Sequence, residues 1–189
     1  MGTGGEQAAG ERAGSGRRLI LLRHAKSDWP GGVPDHERPL ARRGRRDAPA
    51  AGRWLAESGF APDAVVCSTA LRARQTWELV ADALAGRTPL RPGRSRVPAV
   101  RFEPRVYEAS VLSLLMLVRE FEPQWRTVLI VGHNPGLAEL TIGLTGSDSE
   151  PPAFPTAFVA VLGLPGGWAE AAPGEGRLLA YTAPAELRR

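Results

Sequence analysis

The sequence predicts an α/β protein: a mainly parallel sheet with helices covering both of its faces. Three observations carry this expectation. The runs LILL (19–22), AVVC (64–67) and TVLIVG (127–132) are continuously apolar, as strands buried on both faces are. Stretches of helical periodicity alternate with them, the arrangement of a covered parallel sheet. The chain has 189 residues, enough for one core but short for two.

The elements follow in order. The opening residues MGTGGEQAAGERAGSG (1–16) are rich in Gly and Ala and contain acidic groups without an apolar stretch. They read as a disordered tail rather than a signal peptide, ahead of one domain over 17–189. LILL is the first strand. Residues from about 40 to 58 form the first helix, with Ala48, Ala51 and Leu55 on its apolar face. AVVC is the second strand and LRARQTWELVADAL (71–84) the second helix. GRTPLRPGRSRVP (86–98) has loop chemistry, and VRF (100–102) is a short strand. ASVLSLLMLVREF (109–121) is the third helix, TVLIVG a further strand, and a short helix lies near 135–144. AFVAVLGL (157–164) and GRLLAYTA (176–183) close the fold as an antiparallel pair joined by the loop 165–175.

Composition narrows the function. Hydrophobic residues make up 43%, as in a soluble globular protein. No apolar run reaches the roughly 18 to 20 residues that cross a bilayer, so no membrane association is expected. The single cysteine, Cys67, forms no internal disulfide and suits a reducing cytoplasm. The charge is +4, and of 24 basic residues only Lys26 is lysine. These arginines are scattered rather than clustered with aromatics, which argues against nucleic acid and leaves an anionic substrate or phosphoprotein as the partner. The sequence leaves the oligomeric state open.

In parallel α/β sheets, ligands bind at the carboxyl ends of the strands. His24 follows LILL, Cys67-Ser68 follow AVVC, and His133 follows TVLIVG. Taken singly, Arg23-His24 reads as a solvated turn, GHNPG (132–136) as a helix start, and Arg72 as an exposed helix arginine. Together they supply a nucleophile and fixed cations for phosphoryl transfer through histidine. Arginine suits the task because its planar fork grips two phosphoryl oxygens. Neighbouring positive charge also keeps the His24 imidazole unprotonated.

The three stretches LILLRHAKSDW (19–29), VVCSTALRARQT (65–76) and IVGHNPG (130–136) resemble the motifs of the histidine phosphatase superfamily, the phosphoglycerate-mutase-like or RHG family. The match in order and spacing extends over residues 17 to 145. The resemblance implies a three-layer, doubly wound domain and a covalent phosphohistidine intermediate, with no metal or other cofactor. It also implies that His24 is the nucleophile and that Arg23, Arg72 and His133 bind the phosphoryl group. Asn134 and Ser27 are further candidate phosphate ligands. The usual R-H-G is here Arg23-His24-Ala25, and Pro30 stands where the mutase branch often has a phosphate-contacting Asn. With DHERPLARRG (35–44), these changes resemble the short SixA-like phosphohistidine phosphatases. Ala41 lacks the Ser or Thr usual at that helix start, which costs about 1 kcal/mol of capping.

The general acid has three candidates: Glu108 in RVYEAS, which falls where larger relatives place theirs, then Asp28, then Asp35, which could instead pair with Arg38. Glu108 has a plain alternative as a first-turn helix glutamate. His36 reads as an exposed-loop histidine, Cys67 as a packed small hydrophobe, and Trp29 as a residue lining the pocket. No Cys/His grouping has metal-ligand spacing. The interval between Glu108 and His133 is too short for a covering insertion, so the site should be open. That suits a phosphate displayed on a protein and disfavours a mutase, which must shelter its intermediate from water. Alternative readings are a phosphatase of a small phosphate ester, served by Arg87, Arg91, Arg94 and Arg96, and a non-catalytic phosphate-binding module.

Overall fold

The computed structural model describes residues 16–87, 98–146 and 154–183. The tail expected over 1–16 and the arginines 91, 94 and 96 fall almost wholly outside them. Six strands form one sheet: β1 (Arg17–Arg23), β2 (Ala64–Cys67), β3 (Ala99–Phe102), β4 (Thr127–Gly132), β5 (Val159–Leu164) and β6 (Arg177–Thr182). Their order is β3-β2-β4-β1-β5-β6. The pairs β1–β4, β2–β4 and β2–β3 are parallel, while β5 runs antiparallel to both β1 and β6. The expected closing pair is therefore present, and it also docks its first strand on β1.

Helices α1 (Arg42–Glu57) and α2 (Leu71–Ala85) cover one face of the sheet, and α3 (Val111–Arg119) and α4 (Gly136–Thr145) the other. The alternation of a strand divides each apolar run between the two cores. Leu19 and Leu21 of β1 pack with Leu114, Leu117 and Leu140 of α3 and α4. Ile20 and Leu22 pack with Ala48, Leu55 and Val80 of α1 and α2. All four β1 side chains have no exposure. Each contributes about 1.5–3 kcal/mol of burial, which explains why this stretch carries no polar residue until the strand ends.

The third helix and β5 begin later than the periodicity suggests. The third helix begins at Val111 rather than 109. Glu108 has φ +50°, outside helical space, and Ser110 is the N-cap, its hydroxyl accepting the Ser113 N–H at 3.2 Å. Strand β5 begins at Val159 rather than 157, because Ala157 has φ +62°. Ala41, at the start of α1, makes no side-chain cap, as its lack of a hydroxyl requires.

Between β1 and α1 the chain makes a closed excursion over residues 26–41. The Ala41 N–H donates to the Lys26 carbonyl at 2.9 Å, the Asp28 N–H to the Pro39 carbonyl at 2.9 Å, and Ser27 bridges Leu40. Gly44 permits this closure, because a Cβ there would stand 2.2 Å from the Lys26 oxygen. Gly136 does the same on the opposite side, where a Cβ would stand 2.4 Å from the Ala109 oxygen. These close approaches bring the loops after β1 and β3 over the carboxyl ends of the central strands.

Candidate active site

The ends of β1, β2 and β4 are joined by backbone bonds that continue past the strands. The His24 N–H donates to the Gly132 carbonyl at 3.0 Å, and the Ser68 N–H to the Val131 carbonyl at 2.9 Å. The parallel register thereby sets His24 and His133 side by side, with ring centroids 5.0 Å apart. Both are buried, with 8% exposure each. On the other flank, the Ala157 N–H donates to the carbonyls of Arg23 and His24, at 3.0 and 3.2 Å.

Each ring is oriented. His24 Nδ1 lies 2.8 Å from the Ala25 carbonyl. A carbonyl only accepts, so Nδ1 carries the proton and Nε2 presents its lone pair. The Ala25 N–H donates to Thr76 Oγ1 at 3.0 Å, and Thr76 Oγ1 donates to the Arg72 carbonyl at 2.6 Å, which ties the residue after His24 to α2. His133 Nε2 pairs with Ser68 Oγ at 2.8 Å, while its buried Nδ1 has no hydrogen-bond partner among the described residues.

The rings are held neutral. Burial, reinforced by the Arg72, Arg23 and Arg38 charges, pushes His24 down to about 4 from 6.5, against the opposing pull of the Ala25 carbonyl. Burial and then His24 push His133 down to about 3. The unfolded chain therefore binds more protons than the fold between pH 6.5 and these values. Stability is full above pH 6.5 and falls as pH drops toward 3. Side-chain NMR titration is expected to place the His24 midpoint near pH 4, with the urea midpoint of unfolding declining from pH 7 to pH 5. A His24 midpoint at 6.5 would show that the ring is not desolvated.

Arg23 and Arg72 flank the rings from different elements. Arg23 Nη1 and Asn134 Nδ2 both donate to the Phe154 carbonyl, at 2.7 and 3.0 Å. Arg23 Nε and Asn134 Oδ1 are buried without a hydrogen-bond partner among the described residues, and burial lowers the Arg23 pKa from its ordinary value. Arg72, near the start of α2, has 6% exposure.

With this geometry in place, comparison with known proteins is specific. Residues 19–93 match the family model described as histidine phosphatase superfamily, branch 1. A solved structure provisionally named phosphohistidine phosphatase SixA, from Nakamurella multipartitia, is 32% identical with a TM-score of 0.76, over 89% of this chain and 96% of that one. The chain belongs to the histidine phosphatase superfamily. Its SixA-like character is repeated in a similarly named structure from Agrobacterium tumefaciens, 28% identical with a TM-score of 0.73, over 89% of this chain and 98% of that one. An uncharacterized Mycobacterium tuberculosis protein, Rv1276c, is 37% identical over 171 residues, 86% of this chain and 99% of that protein. The protein is thus a phosphatase of the SixA-like branch, with the phosphoglycerate-mutase-like α/β fold.

Around its paired histidines this histidine phosphatase carries a second ring of polar residues from the 26–41 excursion. The Asp35 carboxylate accepts from Arg38 Nη1 at 2.7 Å, from Arg72 Nη2 at 2.9 Å and from the Tyr107 hydroxyl at 2.8 Å. Arg38 also donates to Ser27 Oγ at 2.8 Å and to the Asp28 carbonyl at 2.9 Å, and its guanidinium stacks 3.1 Å from the Trp29 ring centre. Trp29 is 73% exposed, so it stands on the rim. The Ser27 hydroxyl, a candidate phosphate ligand, is engaged by Arg38.

Tyr107 and His36 are the residues that sequence reasoning missed. The Tyr107 ring meets His133 edge-on at 5.5 Å and His36 at 4.9 Å. His36 is half-buried, with Nε2 2.9 Å from Thr69 Oγ1; the exposed-loop reading is corrected, because Tyr107 and Thr69 cover the ring. The only signal for Tyr107 was its place beside Glu108 in RVYEAS. Glu108 itself is exposed, one residue beyond the ring that contacts His133. Cys67 is buried and unpaired, and burial pushes its thiol up, as a packed hydrophobe requires. Among the described residues, no group of three or more His, Cys, Asp or Glu side chains could hold a metal ion, and no helix is long and apolar enough to cross a membrane.

Proposed function

We propose that this phosphatase removes a phosphoryl group from a phosphohistidine on a protein, through a covalent intermediate on His24. The chemistry rests on one observation: an imidazole with its Nδ1 proton fixed on a carbonyl, 5.0 Å from a second neutral imidazole and flanked by two guanidinium groups. Nε2 attacks phosphorus, the bond to the leaving group breaks, and the phosphoryl group resides on Nε2. Water then attacks phosphorus and returns His24 with inorganic phosphate. Arg23, Arg72 and His133 take the equatorial oxygens, where fixed donors act most strongly on developing charge. Asn134 and Ser27 are further proposed ligands, each of which would exchange its present partner, the Phe154 carbonyl or Arg38, for phosphate.

The character of the rim supports this substrate class. Trp29, Asp35 and Glu108 are exposed around the buried histidines, which suits a phosphate presented by a large partner. The two similar structures named for phosphohistidine phosphatase support the same class. The buried, unpaired Cys67 fits a cytoplasmic setting.

Of the three candidate acids, Asp35 is held well below the usual carboxylate range, first by Arg38 and then by Tyr107 and Arg72, so it is a poor proton donor. Asp28 is exposed, and its Oδ1 accepts the Trp29 N–H at 2.9 Å. Glu108 is the proposed acid for an alkoxide leaving group. A phosphohistidine ring protonated on its second nitrogen departs as neutral imidazole and needs no such donor. Glu108→Gln is therefore expected to slow an alkyl phosphate by about 100-fold and phosphohistidine by less than about threefold. Equal losses on both would remove Glu108 from this role. The substrate assignment itself fails if kcat/KM for a panel of small phosphate esters exceeds that for a phosphohistidine protein.

A further inference from the structure

Asp35 draws on the cation assigned to the phosphoryl group. Its Oδ2 takes Arg72 Nη2 at 2.9 Å, and its main-chain oxygen takes Arg72 Nη1 at 2.6 Å. Both ends of the guanidinium fork are thus engaged by one residue. The Arg72 side chain is 7% exposed and that of Asp35 41%, so the carboxylate lies on the solvent side of the guanidinium. Arg38 and the Tyr107 hydroxyl complete its set of donors, at 2.7 and 2.8 Å.

A carboxylate and a phosphoryl group offer the same kind of oxygen pair to an arginine fork. Resting on the reading of Arg72 as a phosphoryl ligand, we propose that Asp35 is an internal competitor, whose carboxylate must give way at Arg72 for a phosphoryl oxygen to take its place. The backbone is suited to such a retreat. Asp35 opens a one-turn 3₁₀ segment, Asp35–Glu37, that buries none of its residues. It follows the exposed stretch Gly31–Pro34, in which Gly32 has φ +74°.

The consequence concerns product release. Two arginines beside the paired histidines would hold free inorganic phosphate tightly. A competing carboxylate lowers that affinity, while a protein substrate displaces it with contacts that free phosphate lacks. Asp35 is thereby a specificity-determining residue rather than an acid.

The test uses the full chain with inorganic phosphate and orthovanadate as probes. Asp35→Asn and Asp35→Ala are each expected to bind both anions about tenfold more tightly by calorimetry, the worth of one charge-assisted pair. Phosphate should become a correspondingly stronger product inhibitor. In the wild type, which needs no variant to fold, the Asp35 carboxyl carbon resonance should shift as phosphate saturates the site. Weaker or unchanged anion binding in the variants, or a resonance that stays still while phosphate binds, overturns the proposal and makes Asp35 a buttress of Arg72. Wild-type protein that binds neither anion, with Arg72→Ala fully active, would instead sink the phosphoryl site itself.

Discussion

His24→Ala is expected to lower turnover of every substrate by about 10⁴-fold or more, because it removes the proposed nucleophile. The fold should survive the change. The His24 ring makes its hydrogen bond to the carbonyl of the next residue, and its removal leaves β1 and its two cores in place. Rapid quenching of wild-type protein with ³²P-labelled substrate should trap label that is acid-labile and base-stable, as a phosphoramidate is, and His24→Ala should trap none. Activity within tenfold of wild type in a folded His24→Ala protein would refute the covalent route. His133→Ala provides the contrast: the phosphohistidine should still form, more slowly, since the nucleophile remains.

Arg72→Ala is expected to lower kcat by about 10²–10³-fold, the usual cost of deleting one donor aimed at transition-state charge. The loss should exceed that of a simple binding residue, because Asp35 would keep its negative charge after losing its partner on the phosphoryl side. Arg72→Lys should recover only part of the rate. A single ammonium cannot hold the Asp35 main-chain oxygen and a phosphoryl oxygen in one plane as the guanidinium fork can. The decisive measurement is a split of kcat from KM on one substrate. A change confined to KM would show that Arg72 grips ground state and transition state alike, without aiding the chemical step.

Much of this site was legible in the sequence, for a definite physical reason. Strands buried on both faces must be apolar throughout, so the first polar residues after LILL, AVVC and TVLIVG mark the strand ends. Parallel pairing of β1 with β4 and of β2 with β4 then forces those ends together. His24, Ser68 and His133 follow from that logic alone. The ring of Asp35, His36, Arg38 and Tyr107 does not. These residues lie on an irregular excursion and a short 3₁₀ turn, where no periodicity sets the direction of a side chain. Their convergence depends on Gly44 meeting Lys26 and Gly136 meeting Ala109, contacts between segments far apart in the chain. The start of α3 was misplaced for a related reason, since the left-handed turn at Glu108 falls on a residue with no marked preference for it.

Strand β1 comes first along the described chain yet lies inside the sheet, between β4 and β5. Arg23 makes its side-chain bond to a residue 131 positions later. On the ribosome, Arg23 and His24 emerge well before β5, and their surroundings exist only once that strand has followed. Nascent chains should therefore be inert until β5 has emerged, and enzymatic competence should arrive abruptly at that point rather than growing with length.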